Sequence, residues 1–371
     1  MIIKRSQASD FAAYLGQFDL HNHSFSHCVL TESDEQDVHH PKETDWKPQS
    51  PSLDEKIDFI VRRLKSTMQA GVNRGIRVLA FTEHPQYTFY SIPYPRYRRI
   101  FNTLRSQVGG FIEKVLWGLE VDLEITKNKM PFVNEEIIGS KDVGSKGVLL
   151  YDADLIVGSL HLYRDWRAEY LPKHQREQIV FYDQALDYIK NCTDYFELTM
   201  NALGALGVFR KRLDTLNGRS KTFVYGHPWG AAWMMNKKKF EQDKHSDTWL
   251  RLRKEHPQQP AFLDYHWGPE APIQFFTKDQ LMQVAEAHIE NGIYPEVNCR
   301  YVGRGASEFS SPTAQPTLID AYAERCAARG LPAYISVCSD AHSPAGLLKT
   351  DWRELAQKLP KNVLAWAENL S

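Results

Sequence analysis

Short apolar runs recur along the chain near residues 17–20, 77–82, 114–119, 154–159, 222–226, 293–298 and 333–338, and each reads as a buried strand. In Arg77-Val78-Leu79-Ala80-Phe81 the apolar residues are consecutive rather than alternating. That is the pattern of a strand covered on both faces, as in a parallel sheet flanked by helices. Stretches of helical periodicity lie between most of these runs. The clearest opens after Ser52, where Ser52 and Glu55 form a capping box and Leu53, Ile57, Ile60, Val61, Leu64 and Met68 make one apolar stripe, with Gly71 or Gly75 as the stop. Thr277 and Gln280 make a second capping box, opening a helix through Leu281, Ala285 and Ile289 that ends near Gly292. His288 falls in its last turn, where the helix dipole favours an imidazolium, and reads as structural rather than as a ligand. A third helix runs from Leu318 to Arg329 and stops at Gly330.

Seven strands separated by helices suggest an α/β barrel, whose parallel strands bring their C-terminal ends to one rim where loop residues do the chemistry. Six of the runs end in residues that bind hard or borderline metals: Asp19-Leu20-His21-Asn22-His23, Thr82-Glu83-His84, Gly118-Leu119-Glu120, Gly158-Ser159-Leu160-His161, Gly226-His227-Pro228 and Ser339-Asp340-Ala341-His342. A lone histidine at a strand end is more often a hydrogen-bonded loop or core residue than a ligand. Six such endings on one rim form a cluster. Imidazole and carboxylate together suit Zn, Mn or Fe, and a bridging carboxylate holds ions close together. Phosphoester hydrolysis is a common use of such clusters.

In order and residue type these endings resemble the motifs of the polymerase and histidinol phosphatase (PHP) family, which run HxH, DH, GxE, SxH, GHP and SDAH. The resemblance spans residues 19 to 350. It implies a distorted (β/α)7 barrel of PHP type, a seven-stranded relative of the TIM barrel, with a cluster of two or three divalent ions (Zn, Mn or Fe) at the C-terminal rim. Carried over position by position, His21, His23, Glu120 and Asp340 would hold one ion, and Glu120 would bridge to a second completed by His161 and His227. A third would take His84, His342 and His27. Two positions depart from the pattern. The Asp of the second motif is Glu83 here, long enough to orient an imidazole through its other ring nitrogen. His27 follows His23 by only four residues, beside Cys28, itself a possible soft ligand.

Within the family, the C-terminal third looks most like histidinol phosphatases, in Glu296, Asn298, Arg300, Gly303, Arg304 and Gly305, as does the run 154–161 followed by Tyr163 and Trp166. The implied activity is hydrolysis of a small-molecule phosphate monoester such as L-histidinol phosphate by a metal-bridging water. Arg304 or Arg300 would clamp the phosphate through bidentate hydrogen bonds. Asp19, Glu83 and Glu296 read as outer carboxylates that fix ligand tautomers, and no residue stands out as the general acid. Two other readings stay open: a phosphodiesterase or exonuclease acting on short nucleic acids, and a metal-binding scaffold or regulatory module without catalysis.

The composition narrows these choices. With 371 residues the chain can bury a large core as a single domain over 1–371, since α/β barrels of comparable size do so. A net charge of −1 and a pI near 6.9 leave no global basic field for a long polynucleotide. The basic runs Arg210-Lys211-Arg212 and Lys237-Lys238-Lys239 lack interleaved aromatics and read as solvated faces. The expected partner is a small phosphorylated molecule. Cys28, Cys192, Cys299, Cys326 and Cys338 are scattered with no CxxC pair, which points to a reducing compartment. The N-terminus has no secretory apolar stretch and no window is long enough to cross a bilayer, so a cytoplasmic location is expected.

Two segments read as rim insertions. Residues 31–51 are acidic and polar and carry His39 and His40, which read as loop residues without a role. Residues 229–276 are rich in aromatics, among them Trp229, Trp233, Trp249, Trp267, Phe275 and Phe276, and read as a minor core or a lid over the site.

Overall fold

A computed structural model of the protein describes residues 2–8, 10–24, 53–84, 94–125, 131–133, 153–159, 192–217, 221–226, 276–299, 314–341 and 343–370. Helix α1 (Phe11–Leu15) leads into strand β1 (Phe18–Asp19), followed by α2 (Leu53–Arg74), β2 (Val78–Glu83), α3 (Tyr94–Gln107) and β3 (Lys114–Ile125). A short strand β4 (Pro131–Val133) precedes β5 (Leu155–Ser159), α4 (Cys192–Asn217) and β6 (Thr222–Gly226). Then come α5 (Lys278–Asn291), β7 (Tyr294–Asn298), α6 (Ala314–Ala328), β8 (Ala333–Cys338), α7 (Pro344–Leu348), α8 (Trp352–Lys358) and β9 (Val363–Ala365). Each of the seven apolar runs of the sequence is a strand of this set.

Strands β1, β2, β3, β5, β6, β7 and β8 lie side by side in that order, every neighbouring pair parallel. The exit of β1 then meets the exit of β8. The Leu20 amide donates to the Val337 carbonyl, the Asp340 amide to His21 and the His23 amide to Ala341, each at 2.9 Å. These bonds close a seven-stranded α/β barrel of the distorted TIM type. Consecutive residues of β2 and β5 are all buried, as their apolar runs require of strands covered on both faces. Strand β9 pairs with the first half of β8, at Ala333 to Ile335, which β1 is too short to reach. Strand β3 runs past the ring and pairs antiparallel with β4 through Leu123 to Ile125.

Where they can be compared, the helices follow the expected signals, with informative differences; Ser52 of the first capping box lies outside the described residues. Ile60, Leu64 and Met68 of α2 face the core, but Phe59, Arg63 and Thr67 are buried there too. The helix passes through Gly71 and stops at Gly75, whose φ of 75° lies in the left-handed region that glycine enters without penalty. The Thr277 and Gln280 capping box is present, its two reciprocal bonds at 2.9 and 3.2 Å, and α5 ends at Gly292 in the left-handed conformation. His288 is structural, but its charge departs from the sequence reading. It is buried, its Nδ1 donates to the Ile293 carbonyl at 2.8 Å, and burial pulls its pKa down to about 4. Burial thus favours the neutral ring, outweighing the hydrogen bond to the Ile293 carbonyl that favours its charged form. Phe276 packs edge-on against Phe196 of α4 in the core. Residues 31–51 and the rest of 229–276 lie outside the described residues.

Candidate metal centre

Four strand exits bring their polar residues to one point. His21 and His23 follow β1, His84 follows β2, Glu120 lies on β3 one place beyond the residue paired with the end of β2, and Asp340 follows β8. All five are at most 2% exposed. The Nε2 atoms of His84, His23 and His21 stand 3.0, 3.1 and 3.3 Å from the same oxygen, Glu120 Oε2. Asp340 Oδ1 lies 3.5 Å from His23 Nε2 and 3.9 Å from His21 Nε2. The Nε2 atoms of His21 and His23 are 3.2 Å apart, and the His23 and His84 rings stack at 4.8 Å between centroids, 10° from parallel.

Surrounding groups fix this orientation. His21 Nδ1 meets Glu296 Oε2 on β7 at 2.6 Å, so the opposite ring nitrogen is turned toward Glu120. Burial opposes a charge on His21, but the carboxylates of Glu296 and Glu120 outweigh it and hold its pKa well above the ordinary imidazole range. His23 is likewise pushed up to about 9, burial being overcome by hydrogen bonds to Asp340 and Glu120. The carboxylates thus favour positive charge between the imidazole nitrogens and the carboxylate oxygens. A divalent cation fits the same donors. His21, His23 and Glu120 each offer a buried ligand atom within 4.8 Å of the others, a nitrogen and oxygen set suited to zinc and its neighbours.

Asp340 has φ 48°, the sole non-glycine in the left-handed region among the described residues. Aspartate tolerates this conformation better than most residues, and its carboxylate thereby joins the cluster while its amide still bonds His21. Glycine at 226 has a packing reason. A Cβ there would come within 2.4 Å of Val157 Cγ1 and 2.5 Å of Ser159 Oγ, so the β6 exit lies flush against β5.

Of the three carboxylates read as outer supports, Glu296 touches a cluster histidine as expected. Glu83 holds Ser24: its Oε1 accepts the amide of Ser24 at 2.6 Å and the Ser24 hydroxyl at 2.5 Å. Asp19 holds Ser339, taking its amide at 3.0 Å and its hydroxyl at 2.6 Å. It thus acts on the loop that carries Asp340. Burial raises the Asp19 pKa to about 7, against the pull of the Ser339 bonds. Arg63 and Ser24 carry no signal in the ordered motifs. The one available clue is a charged residue three places after Ile60, on the apolar face of α2.

The remaining sequence-derived site residues, His27, His161, His227, Arg300, Arg304 and His342, lie outside the described residues, as does Cys28. Ser159 and Gly226, which end β5 and β6, place the fourth and fifth strand exits on the same rim as the cluster. Cys299, Cys326 and Cys338 are buried free thiols. Among the described residues no helix is long and apolar enough to cross a membrane.

No family model matches this sequence, and no curated protein matches it. Among solved structures, a histidinol phosphate phosphatase from Lactococcus lactis subsp. lactis Il1403, complexed with zinc, L-histidinol and phosphate, is similar over 81% of this chain and 88% of that one. The identity is 15% and the TM-score 0.42, a distance at which the likeness bears no weight beside the strand order and the cluster described above.

Proposed function

We propose that this chain is a metal-dependent phosphoesterase of PHP type that hydrolyses a small-molecule phosphate monoester, with L-histidinol phosphate the first substrate to test. The observation that supports the reading is the meeting of three imidazole nitrogens from two strand exits on a single buried oxygen of Glu120, with Asp340 beside them. Buried carboxylates and imidazoles at this density are costly unless they are paired or bind a cation. A pair of ions bound there would supply Lewis acidity and a water of lowered pKa, the usual means of cleaving a phosphoester.

The chain's own residues have separable tasks in this reading. His21, His23, Glu120 and Asp340 would hold the first ion, and Glu120 with His161 and His227 the second. His84 would join His342 and His27, although its ring also faces Glu120. Glu296 holds His21 in the tautomer that presents Nε2. Arg304 or Arg300 would clamp the phosphate oxygens and so favour a terminal, doubly charged group. The chain is expected to act in the cytoplasm on a small molecule as a single domain, with substrate choice in the segment 229–276.

The test is phosphate release by the purified protein after stripping with chelator and reloading with Zn, Mn or Fe, across a panel of phosphate monoesters that includes L-histidinol phosphate and a matched diester. Metal-restored turnover of a monoester above the diester is expected. Faster diester turnover would reverse the substrate class. Equal turnover with and without metal would end the proposal.

A further inference from the structure

Arg63 lies on the buried face of α2 and is 1% exposed. A guanidinium cannot shed its charge, so it is tolerated inside a fold only where polar groups receive it. Its Nε donates to the carbonyl oxygen of Ser24 at 2.7 Å. Ser24, also buried, gives both its amide and its hydroxyl to Glu83 Oε1. The amide, hydroxyl and carbonyl of this one serine are therefore all held by residues of two other elements. Ser24 directly follows His23, and Glu83 directly precedes His84. Those two histidines are the stacked pair whose Nε2 atoms both meet Glu120 Oε2.

We infer that Arg63 and Ser24 are positioning residues of the metal centre: Arg63, anchored on α2, and Glu83, at the end of β2, clamp Ser24 and so set the separation of His23 and His84. A role confined to joining the strands does not account for the arrangement. The exits of β1 and β2 are already tied by the Thr82 amide and hydroxyl to the Asn22 carbonyl, and by the Asn22 side chain to Ala80. The clamp acts two residues further along, level with the ligands. This inference rests on the reading of the cluster as a metal centre.

The test is Co2+ titration of the metal-stripped full chain, with affinity taken from competition against a chromophoric chelator and ligand geometry from visible absorption at saturation. Ser24→Ala and Arg63→Met are each expected to weaken Co2+ binding by about tenfold to hundredfold and to change the absorption spectrum. Both loosen the same clamp, Arg63→Met by removing the donor to the Ser24 carbonyl and Ser24→Ala by removing one of the two bonds to Glu83, so the double variant should lie within about threefold of the weaker single one. If Arg63→Met does not fold, Ser24→Ala and Glu83→Ala, which removes the acceptor of both Ser24 bonds, supply the same cycle. Unchanged affinity and spectrum in Ser24→Ala, or losses that simply multiply in the double variant, overturn the inference while leaving the metal centre standing. A wild-type chain that takes up no Co2+ overturns both.

Discussion

Asp19, the last residue of β1, accepts two hydrogen bonds from Ser339, the first residue past β8, at 3.0 Å from the amide and 2.6 Å from the hydroxyl. The Ser339 hydroxyl in turn receives the Ala341 amide at 3.1 Å. The turn that carries Asp340 in its left-handed conformation is thus held from the opposite side of the barrel seam. Asp19→Ala would leave two buried donors without their acceptor, at a cost of roughly 2–5 kcal/mol. Urea unfolding of the metal-free protein should show that loss. A change under about 0.5 kcal/mol, the size of an inconsequential surface substitution, would mean the seam does not depend on Asp19.

Gly226→Ala tests how closely the β5 and β6 exits approach. The added methyl would overlap Val157 and Ser159, and strand packing on both sides leaves little room to relax. A loss of roughly 1–3 kcal/mol is expected from equilibrium unfolding. Wild-type stability would mean that the two exits separate readily enough to admit the methyl.

His288 gives a pH dependence of known sign. Its ring is held neutral in the fold, with a pKa of about 4 against 6.5 for the free side chain, so the unfolded chain binds a proton that the folded one refuses. Its contribution is therefore lost as pH falls from about 6.5 to about 4, by roughly 3 kcal/mol, and levels off below. Unfolding curves at pH 7, 5.5 and 4.5 for the wild type and His288→Gln should converge as pH falls. Parallel curves would mean that His288 takes up its proton equally in both states.

The barrel was legible because strands buried on both faces must be written as unbroken apolar runs, and every such run forms a strand. What escaped was structure outside the ring. The continuation of β3 alternates polar and apolar residues over Glu120, Val121, Asp122, Leu123, Glu124 and Ile125, a weaker pattern than the unbroken apolar run before it. Helix α4, with Leu198, Ala202, Leu206, Phe209 and Leu213 buried at helical spacing, was legible in principle, but it follows a long polar stretch without a clear start signal. The three residues of β9 are too few to carry a period.

At the site, His21, His23, His84, Glu120 and Asp340 could be picked out because each ends or follows an apolar run in a chemically apt residue. Their supports could not. Asp19 and Ser339 are 320 residues apart in the chain, and Ser24 and Glu83 are 59 apart. Nothing in the residue types announces either pairing. His288 is structural as its sequence position suggests, but its charge was not legible, because a helix end can be seen in sequence whereas the depth at which it is buried cannot.

Glu120 is the point on which the cluster turns, so its removal tests the account most directly. The measurement is elemental analysis of metal per chain together with phosphate release from a monoester, for the wild type and Glu120→Ala, each confirmed folded by its thermal melt. The wild type is expected to retain about two or three divalent ions and to release phosphate, and Glu120→Ala to lose most of the metal and all detectable hydrolysis. Full metal content and full turnover in Glu120→Ala would contradict the assignment of this cluster as the catalytic centre.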